Sequence, residues 1–198
     1  MWGLRGDLQG WNGAHPVFDR LIEELRPSVI LDVGVWKGQS TLYMAAALDR
    51  FGIDGAIIAI DTWLGSPEHW LDHESQVFAD LHLRDGYPTL YETFYQNVLE
   101  SGLDGYVVPF AQTSLNSAEI LKHRGIGAQL IHVDAAHQTE SVLADVRAFW
   151  KLLEPGGVLV GDDLPWNSVR LAAYKFAEEV GIPYEEEEPK WIIRKPVD

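Results

Sequence analysis

The chain has 198 residues, of which 46% are hydrophobic and 23% are charged, a composition typical of one globular domain that excludes a largely disordered chain. Thirty acidic residues against 15 basic ones give a formal net charge of −15, which argues against a nucleic-acid partner and against an anionic membrane surface. The absence of cysteine excludes a disulfide framework, a zinc–thiolate site and a cysteine nucleophile.

The first seven residues lack the apolar core of a signal peptide. No segment approaches the about 20 apolar residues that a membrane span requires. We therefore expect a soluble, cytoplasmic protein with a single domain over residues 1–198.

Short apolar runs alternate with helical patterns along the chain, which predicts an α/β fold: a doubly wound, Rossmann-like, mainly parallel sheet. In chain order, the predicted strands are residues 28–33, 56–61, 106–110, 129–134 and 157–163. The predicted helices are residues 39–50, 90–103, 142–153 and 168–180. In the third of these helices Asp145, Arg147 and Lys151 are predicted to lie on the polar face, away from the core.

Two segments depart from this alternation. Residues 184–188 and 191–195 are extended segments separated by Pro189 and Lys190, which predicts a hairpin that adds an antiparallel edge to the sheet. The acidic run 185–188 is interpreted as a solvated edge strand rather than a metal site. Residues 63–88 are irregular, with a short helix predicted around 74–82, and loops of this length in compact domains are usually lids or binding loops.

Ligands of open α/β sheets bind at the carboxyl ends of the strands, so the residues at those ends are the candidates for a site. Gly34 and Gly38 follow the first strand, where they permit a tight turn and close approach of a ligand to the backbone. This loop lacks both GxGxxG and GK[ST], so it does not predict a pyrophosphate cradle.

Asp61 ends the second strand. A carboxylate at this position can accept two hydrogen bonds from a ribose diol, although an aspartate that caps a turn would look the same in the sequence. The combination of Asp61 with the glycine loop favours the ribose interpretation.

Three aspartates end the fourth and fifth predicted strands: Asp134, Asp162 and Asp163. If these strands are neighbours, three like charges converge at one edge of the sheet, which is costly unless a cation lies among them. An all-oxygen cluster suits Mg²⁺, Mn²⁺ or Ca²⁺. The alternative is that one aspartate of the adjacent pair caps the next helix.

His137 follows Asp134 by three residues, and an imidazole with an ordinary pKa of about 6.5 can take a proton from a hydroxyl near neutral pH. A surface or structural histidine is the alternative. His132 lies inside the predicted strand and is interpreted as a core residue. Four tryptophans near the strand ends are candidates either for ligand walls or for anchors onto the core: Trp36, Trp63, Trp70 and Trp166.

In this order the motifs resemble those of class I S-adenosylmethionine-dependent methyltransferases, in the branch of metal-dependent, small-molecule (sugar-type) O-methyltransferases that is similar to methyltransferase family 24. The motifs are VILDVG at 29–34, GQST at 38–41, Asp61, VDAAH at 133–137, LEPGG at 153–157 and GDD at 161–163. The resemblance covers nearly the whole chain and implies a seven-stranded sheet with a reversed C-terminal hairpin.

For the cofactor, the resemblance implies that the methionine end of S-adenosylmethionine lies over Gly34 and Gly38, in a motif that also contains Asp32 and Ser40. The ribose would lie on Asp61. The adenine would lie near Thr113 and Ser114, where Ala111 and Gln112 depart from the more usual Gly-Asp pair.

For the reaction, the resemblance implies Mg²⁺ on Asp134, Asp162 and Asp163 and a catalytic base at His137. Ala136 replaces an aspartate that serves as the base in some members of the family. The expected enzyme moves a methyl group to a hydroxyl of a small, sugar-like acceptor with the help of the metal.

Three other functions remain open from the sequence: a metal-independent or N-directed methyltransferase of the same fold, a non-catalytic protein that binds the cofactor, and, least favoured because of its glycine spacing, a nicotinamide oxidoreductase. The expected partner is a small molecule. Composition does not indicate the oligomeric state, and a homo-oligomer is compatible with it.

Overall fold

A single mixed sheet forms the centre of the computed structural model, which describes residues 7–197 and therefore not the N-terminal residues 1–6 or the last residue. Its strands are β1 (Val29–Val33), β2 (Ala56–Asp61), β3 (Val107–Ala111), β4 (Ala128–Val133), β5 (Leu153–Gly161), β6 (Glu185–Glu187) and β7 (Lys190–Arg194). Their order across the sheet is β3-β2-β1-β4-β5-β7-β6.

The first five strands are parallel and β7 runs antiparallel to both β5 and β6. The predicted fold class, including the antiparallel C-terminal hairpin, is therefore confirmed. Because β1 lies between β2 and β4, the chain reverses its direction of winding at β1, and the loops after β1 and β4 face one another. This switch point is where ligands of open α/β sheets bind.

Helices cover both faces of the sheet. The helices are α1 (Pro16–Leu25), α2 (Gln39–Arg50), α3 (Pro67–Leu71), α4 (Gln76–Ala79), α5 (Leu90–Ser101), α6 (Ser114–His123), α7 (Thr139–Trp150) and α8 (Asn167–Val180). The apolar stripes of α1, α2 and α5 pack on one face, and those of α6, α7 and α8 pack on the other. Burial of these stripes is the main source of the domain's stability.

The predicted bounds agree closely for β2 and α2, and differ by one or two residues for most other elements. The fifth strand begins four residues earlier than predicted, because the LEPGG segment pairs with the start of β4 through a bulge between Ala128 and Leu130. The helix predicted over 90–103 ends at Ser101, where Gly102 adopts a left-handed φ of 71°.

The irregular segment 63–88 contains two short helices, α3 and α4, rather than the single one predicted over 74–82. Helices α1 and α6 were not among the predicted elements. The acidic edge strand is solvated, as predicted, and its glutamates pair with Arg20, Arg170 and Arg194. Among residues 7–197, no helix combines the length and the apolar character needed to cross a bilayer.

Candidate active site

A cavity of about 640 Å³ opens at the carboxyl ends of the parallel strands, over the switch point. The loops that follow β1 to β5 all contribute to its lining. Of the residues predicted from the sequence, those that line it are Gly34, Asp61, Thr113, Ser114, Asp134, His137 and Asp163. The remaining predicted residues, Asp32, Gly38, Ser40 and Asp162, lie behind this surface.

Gly34 forms the floor of the cavity where the loops after β1 and β4 cross. Its φ is 84°, and a Cβ built on it would lie 1.9 Å from the carbonyl oxygen of Asp134. Its N–H donates to the carbonyl of Ile60 on the neighbouring strand. No larger residue fits here, so the floor presents bare backbone to a ligand.

Asp32 and Ser40 support the loop from inside the protein instead of facing the cavity. The Asp32 carboxylate accepts hydrogen bonds from Ser40 Oγ at 2.9 Å and Thr41 Oγ1 at 2.6 Å. His132 Nδ1 lies 2.8 Å from its other oxygen, and all four side chains are buried. Gly38, at φ 94°, starts α2 with no room for a side chain, because a Cβ would lie 2.9 Å from the ring of Phe94.

The carboxylate of Asp61 is held by backbone amides of the loops that follow β1 and β2. Its two carboxylate oxygens accept from Trp36 N–H at 2.9 Å and from Trp63 N–H at 2.7 Å. Burial raises the pKa of this carboxyl, and the backbone hydrogen bonds oppose that shift. Each oxygen keeps a lone pair that can accept from a hydroxyl, so the ribose interpretation fits the geometry.

Thr113 and Ser114 begin α6 at the far end of the cavity. Thr113 caps the helix by accepting from Asn116 N–H, and Ser114 Oγ donates to Asp145 Oδ1 at 2.6 Å. The prediction that Asp145 lies on the outer polar face of its helix is wrong. Asp145 is 4% exposed and lines the cavity, because α6 packs over that side of α7, and burial raises its pKa to about 6.

His137 lies on the loop after β4 and is held from three sides. Its Nε2 is 2.9 Å from Asp163 Oδ2, its Nδ1 is 3.7 Å from Glu68 Oε1, and its ring stacks on Trp166 at 4.8 Å. The hydrogen bond with Asp163 raises the pKa of His137, although burial opposes it. Asp163 reaches the ring from a left-handed backbone, with φ 58°.

Asp162 turns away from the cavity and is paired inside the protein. One of its oxygens accepts from Asp163 N–H at 2.7 Å, and the other accepts from the ammonium of Lys190. Lys190 is fully buried, and its Nζ also lies 3.3 Å from His132 Nε2. Burial first, and then the charge of Asp162, raise the pKa of the neighbouring Asp134 well above its ordinary value.

The three aspartates predicted to hold Mg²⁺ therefore do not form one group. Among the residues that the structure describes, two clusters have ligand atoms within 4.8 Å of one another: His132, Asp134 and Asp162, and separately Asp134, His137 and Asp163. The first contains Asp162, which already accepts from Lys190, and the second contains the histidine predicted to be the base. Each cluster combines two carboxylates with an imidazole nitrogen, so neither is the all-oxygen set that was predicted.

Sequence reasoning did not identify Trp11 or Glu68, and it noted His69 only as a loop histidine with a possible substrate role; all three line the cavity. Trp36 stacks on His69 at 4.5 Å and lies 5.5 Å from Trp11. Glu68 Oε2, Trp36 Nε1 and His137 Nδ1 are buried without a hydrogen-bond partner. The length of loop 63–88 indicated a binding loop, but its composition did not single out Glu68.

Comparisons with known proteins identify the fold and the family. No curated protein matches the sequence significantly. Among solved structures, the O-methyltransferase from Bacillus cereus in complex with SAH has 16% sequence identity and a TM-score of 0.63, over 97% of this chain and 84% of that one. TomG from Streptomyces achromogenes, an O-methyltransferase involved in tomaymycin synthesis and solved with SAM, has 15% identity and a TM-score of 0.67, over 97% and 83%.

The O-methyltransferase NovP has 15% identity and a TM-score of 0.66, over 91% of this chain and 78% of its own. At these identities the structures establish the shared fold. The sequence of residues 31–164, more than half of the chain, matches the family described as "Methyltransferase domain". This match, with the fold and the cavity at its switch point, shows that the chain belongs to the methyltransferase domain family 24.

Proposed function

We propose that this protein transfers a methyl group from S-adenosylmethionine to a hydroxyl of a small acceptor, with His137 as the base. The observation that carries the proposal is the position of His137. Asp163 holds its Nε2, its Nδ1 is buried without a hydrogen-bond partner, and the residue lines the same cavity as Gly34 and Asp61. A cofactor cradle and an oriented base in one cavity are the two parts that methyl transfer requires.

The residues present fit the cofactor. Gly34 presents bare backbone, Asp61 has free acceptor positions, and Ser114 and Asp145 form a polar end. No Lys or Arg is among the described residues that line the cavity, so its field favours a sulfonium cation. The TomG and Bacillus cereus structures, which share this fold, were solved with SAM and SAH.

S-adenosylmethionine supplies the methyl group on a positively charged sulfur. Nε2–H of His137 donates to Asp163, which selects the tautomer whose Nδ1 carries a lone pair. This Nδ1 is covered in the ligand-free protein, and it would accept the proton of the acceptor hydroxyl once a bound acceptor reaches it. The hydroxyl oxygen forms a bond to the methyl carbon, the carbon–sulfur bond breaks, and its electrons stay on the sulfur. Glu68, close to Nδ1, stabilises the imidazolium that forms.

The acceptor side of the cavity favours a neutral or positively charged molecule with several hydroxyl groups. Trp11, Trp36 and Trp166 offer flat apolar faces. Glu68 Oε2 and Trp36 Nε1 are an acceptor and a donor that are buried without a hydrogen-bond partner beside this cavity. The acidic lining disfavours phosphate- or carboxylate-bearing acceptors. A sugar-like acceptor, as the sequence suggests, is compatible with these features.

Assistance by a divalent metal, the expectation from the sequence, is less well supported than the metal-independent alternative. Asp162 is already paired with Lys190, and Asp163 is already paired with His137. We also propose that the enzyme is cytoplasmic and acts on small molecules. A net charge of −15 disfavours a nucleic-acid partner.

Titration calorimetry with S-adenosylmethionine, S-adenosylhomocysteine and NADH tests the cofactor. We expect binding of the first two only, and weaker binding by about tenfold or more in Asp61→Ala, because a hydrogen-bonding carboxylate contributes on the order of 1.5–3 kcal/mol. Methyl transfer is then measured with labelled cofactor and a panel of polyhydroxylated acceptors.

His137→Gln should retain cofactor binding and lose turnover. NADH binding in place of S-adenosylmethionine would contradict the proposal. Cofactor binding without turnover on any hydroxylated acceptor would support the non-catalytic alternative.

A further inference from the structure

We propose that the buried Lys190 ammonium serves as the cation for Asp162 and Asp134, so that methyl transfer proceeds without a divalent metal and Lys190 acts as a positioning residue. The predicted effects on activity rest on the proposed function. The predicted effects on metal binding do not depend on it.

The C-terminal hairpin places Lys190 beside the site. Lys190 is the first residue of β7, and the next residue, Trp191, pairs with Gly161 at the end of β5. Leu164 N–H donates to the carbonyl of Pro189 at 2.9 Å, which joins the hairpin to the loop that follows β5. The antiparallel return of the chain therefore brings the ammonium to the carboxyl edge of the sheet, next to Asp162.

The Lys190 ammonium is enclosed by neighbouring side chains. It donates to Asp162, lies 3.3 Å from His132 Nε2 and lies 5.3 Å from the centre of the Phe18 ring. The side chains of Lys190 and Asp162 are 0% and 1% exposed. A buried ammonium without a partner carries a large desolvation cost, so this pair is mutually required.

A divalent ion at this cluster would meet the ammonium at contact distance. The ligand atoms of His132, Asp134 and Asp162 lie within 4.8 Å of one another, and Lys190 already contacts two of these three side chains. Two positive charges in such a confined, water-poor space repel strongly. Asp162 therefore has its counter-charge built into the chain.

From Lys190 the contacts lead to both halves of the cavity. Asp162, held by Lys190, accepts from Asp163 N–H at 2.7 Å, and Asp163 orients His137. On the other side, His132 contacts Asp32, which accepts from Ser40 and Thr41 at the start of α2. Loss of the ammonium would leave Asp162 buried without a counter-charge and would weaken the support that Asp162 gives to Asp163.

The first test uses the unaltered protein. After treatment with EDTA and dialysis, we expect Mn²⁺ titration followed by electron paramagnetic resonance to show no stoichiometric binding, and turnover to be unchanged by EDTA or by added Mg²⁺. Stoichiometric Mn²⁺ binding by the unaltered protein would overturn the proposal, even if no acceptor were known. Failure to bind S-adenosylmethionine would count against the proposed function and not against this inference.

The second test compares Lys190→Met with Lys195→Met. Lys195 contacts the carbonyls of Trp150 and Leu153, away from the site, and so controls for loss of a lysine near the hairpin. We expect Lys190→Met to bind one Mn²⁺ and to lose about tenfold or more in kcat without metal, while the affinity for S-adenosylhomocysteine changes by less than about threefold. Added Mn²⁺ should restore part of the lost turnover.

Lys195→Met should behave as the unaltered protein does in both assays. If Lys190→Met neither gains Mn²⁺ binding nor loses turnover, the proposal is wrong. If Lys190→Met does not fold, Lys190→Arg replaces it: this variant retains the charge and should remain unresponsive to metal, and Mn²⁺ binding by it would overturn the proposal.

Discussion

The chemistry of His137 depends on two carboxylates that are remote from it in the chain. Asp163 lies 2.9 Å from Nε2 and Glu68 lies 3.7 Å from Nδ1, on loops that follow different strands. The first contact selects a tautomer, and the second stabilises the charged ring. A histidine at the surface would have neither contact, and under the proposed function these two contacts are what fit His137 to act as a base.

The pH dependence of turnover should report the Asp163–His137 contact. Only neutral His137 can accept a proton, and its pKa is raised by Asp163, so kcat should rise with pH through a value above about 6.5. In Asp163→Asn the charge that raises this pKa is gone. We therefore expect the acid limb of the pH–rate profile to move to lower pH, and the maximal kcat to fall about 10²-fold or more, because the base is no longer held in the productive tautomer.

Glu68→Gln is the matched comparison, since it removes the more distant carboxylate. It should shift the acid limb in the same direction by a smaller amount. An acid limb that stays in place in Asp163→Asn would show that His137 is not the group that titrates.

The junction between β5 and β7 decides where Asp162 and Lys190 meet. Gly161 and Trp191 are register partners on these antiparallel strands. A Cβ built on Gly161 would lie 2.0 Å from the indole of Trp191, which is 1% exposed. The strands can pair closely here only because Gly161 has no side chain.

Gly161→Ala should therefore destabilise the domain. The indole that the added methyl group would meet is buried, and overpacking of a core typically costs about 1–3 kcal/mol. Denaturant unfolding would measure the change in the free energy of unfolding. Gly105→Ala provides the control, since no atom lies within 4 Å of the corresponding Cβ and the change there should be within about 0.5 kcal/mol. Equal stability of the two variants would contradict this account of the strand junction.

The loop between β2 and α5 packs over the cavity and supplies part of its lining. Helix α3 places Glu68 and His69 over the cavity, and Trp70 Nε1 donates to the carbonyl of Leu64 to close the turn. Ser66 and His69 form a capping box at the start of α3. Trp63, by contrast, is buried and packs near Phe94, so it anchors the loop to the core and is not a ligand wall.

The acidic residues of the molecule fall into two groups with different surroundings. Glutamates of the β6 edge pair with arginines at the surface, where each ion pair contributes little to stability. Asp61, Asp134, Asp145, Asp163 and Glu68 instead line one cavity. These carboxylates favour binding of a cationic ligand. They also lower the stability of the ligand-free protein, because burial disfavours the charged form of a carboxylate.

Asp145 should make the stability of the ligand-free domain depend on pH. Its pKa is about 6 when folded and close to the ordinary 3.8 when unfolded, so the folded state holds the proton more tightly. Stability must then fall as pH rises from about 4 to about 6. Relative to Asp145→Asn, the unaltered protein should lose about 2–3 kcal/mol across this interval, since one pKa unit corresponds to about 1.4 kcal/mol.

Urea unfolding at a series of pH values would measure this difference. Asp54→Asn removes an exposed carboxyl and should leave the pH profile parallel to that of the unaltered protein. A constant difference between Asp145→Asn and the unaltered protein from pH 4 to pH 7 would contradict the prediction.

Most of the sheet was predictable because each strand's character is local. Buried parallel strands appear as short apolar runs, and β1, β2 and β4 were located to within about a residue at each end. The same reasoning located Gly34, Asp61, Asp134 and His137, because the carboxyl ends of parallel strands must converge at the switch point. Local pattern also indicated the hairpin that reverses the last strand.

Which carboxylate faces which cation was decided only by the tertiary structure. Asp162 and Asp163 are adjacent in the chain, but one turns inward to Lys190 and the other turns to His137. Asp145 has the polar spacing of an exposed residue and is buried because α6 packs over it. The periodicity of a sequence shows which residues share a face of a helix or strand. The partner of a charged side chain, however, lies on an element far away in the chain, and the two elements meet only when the whole sheet has formed.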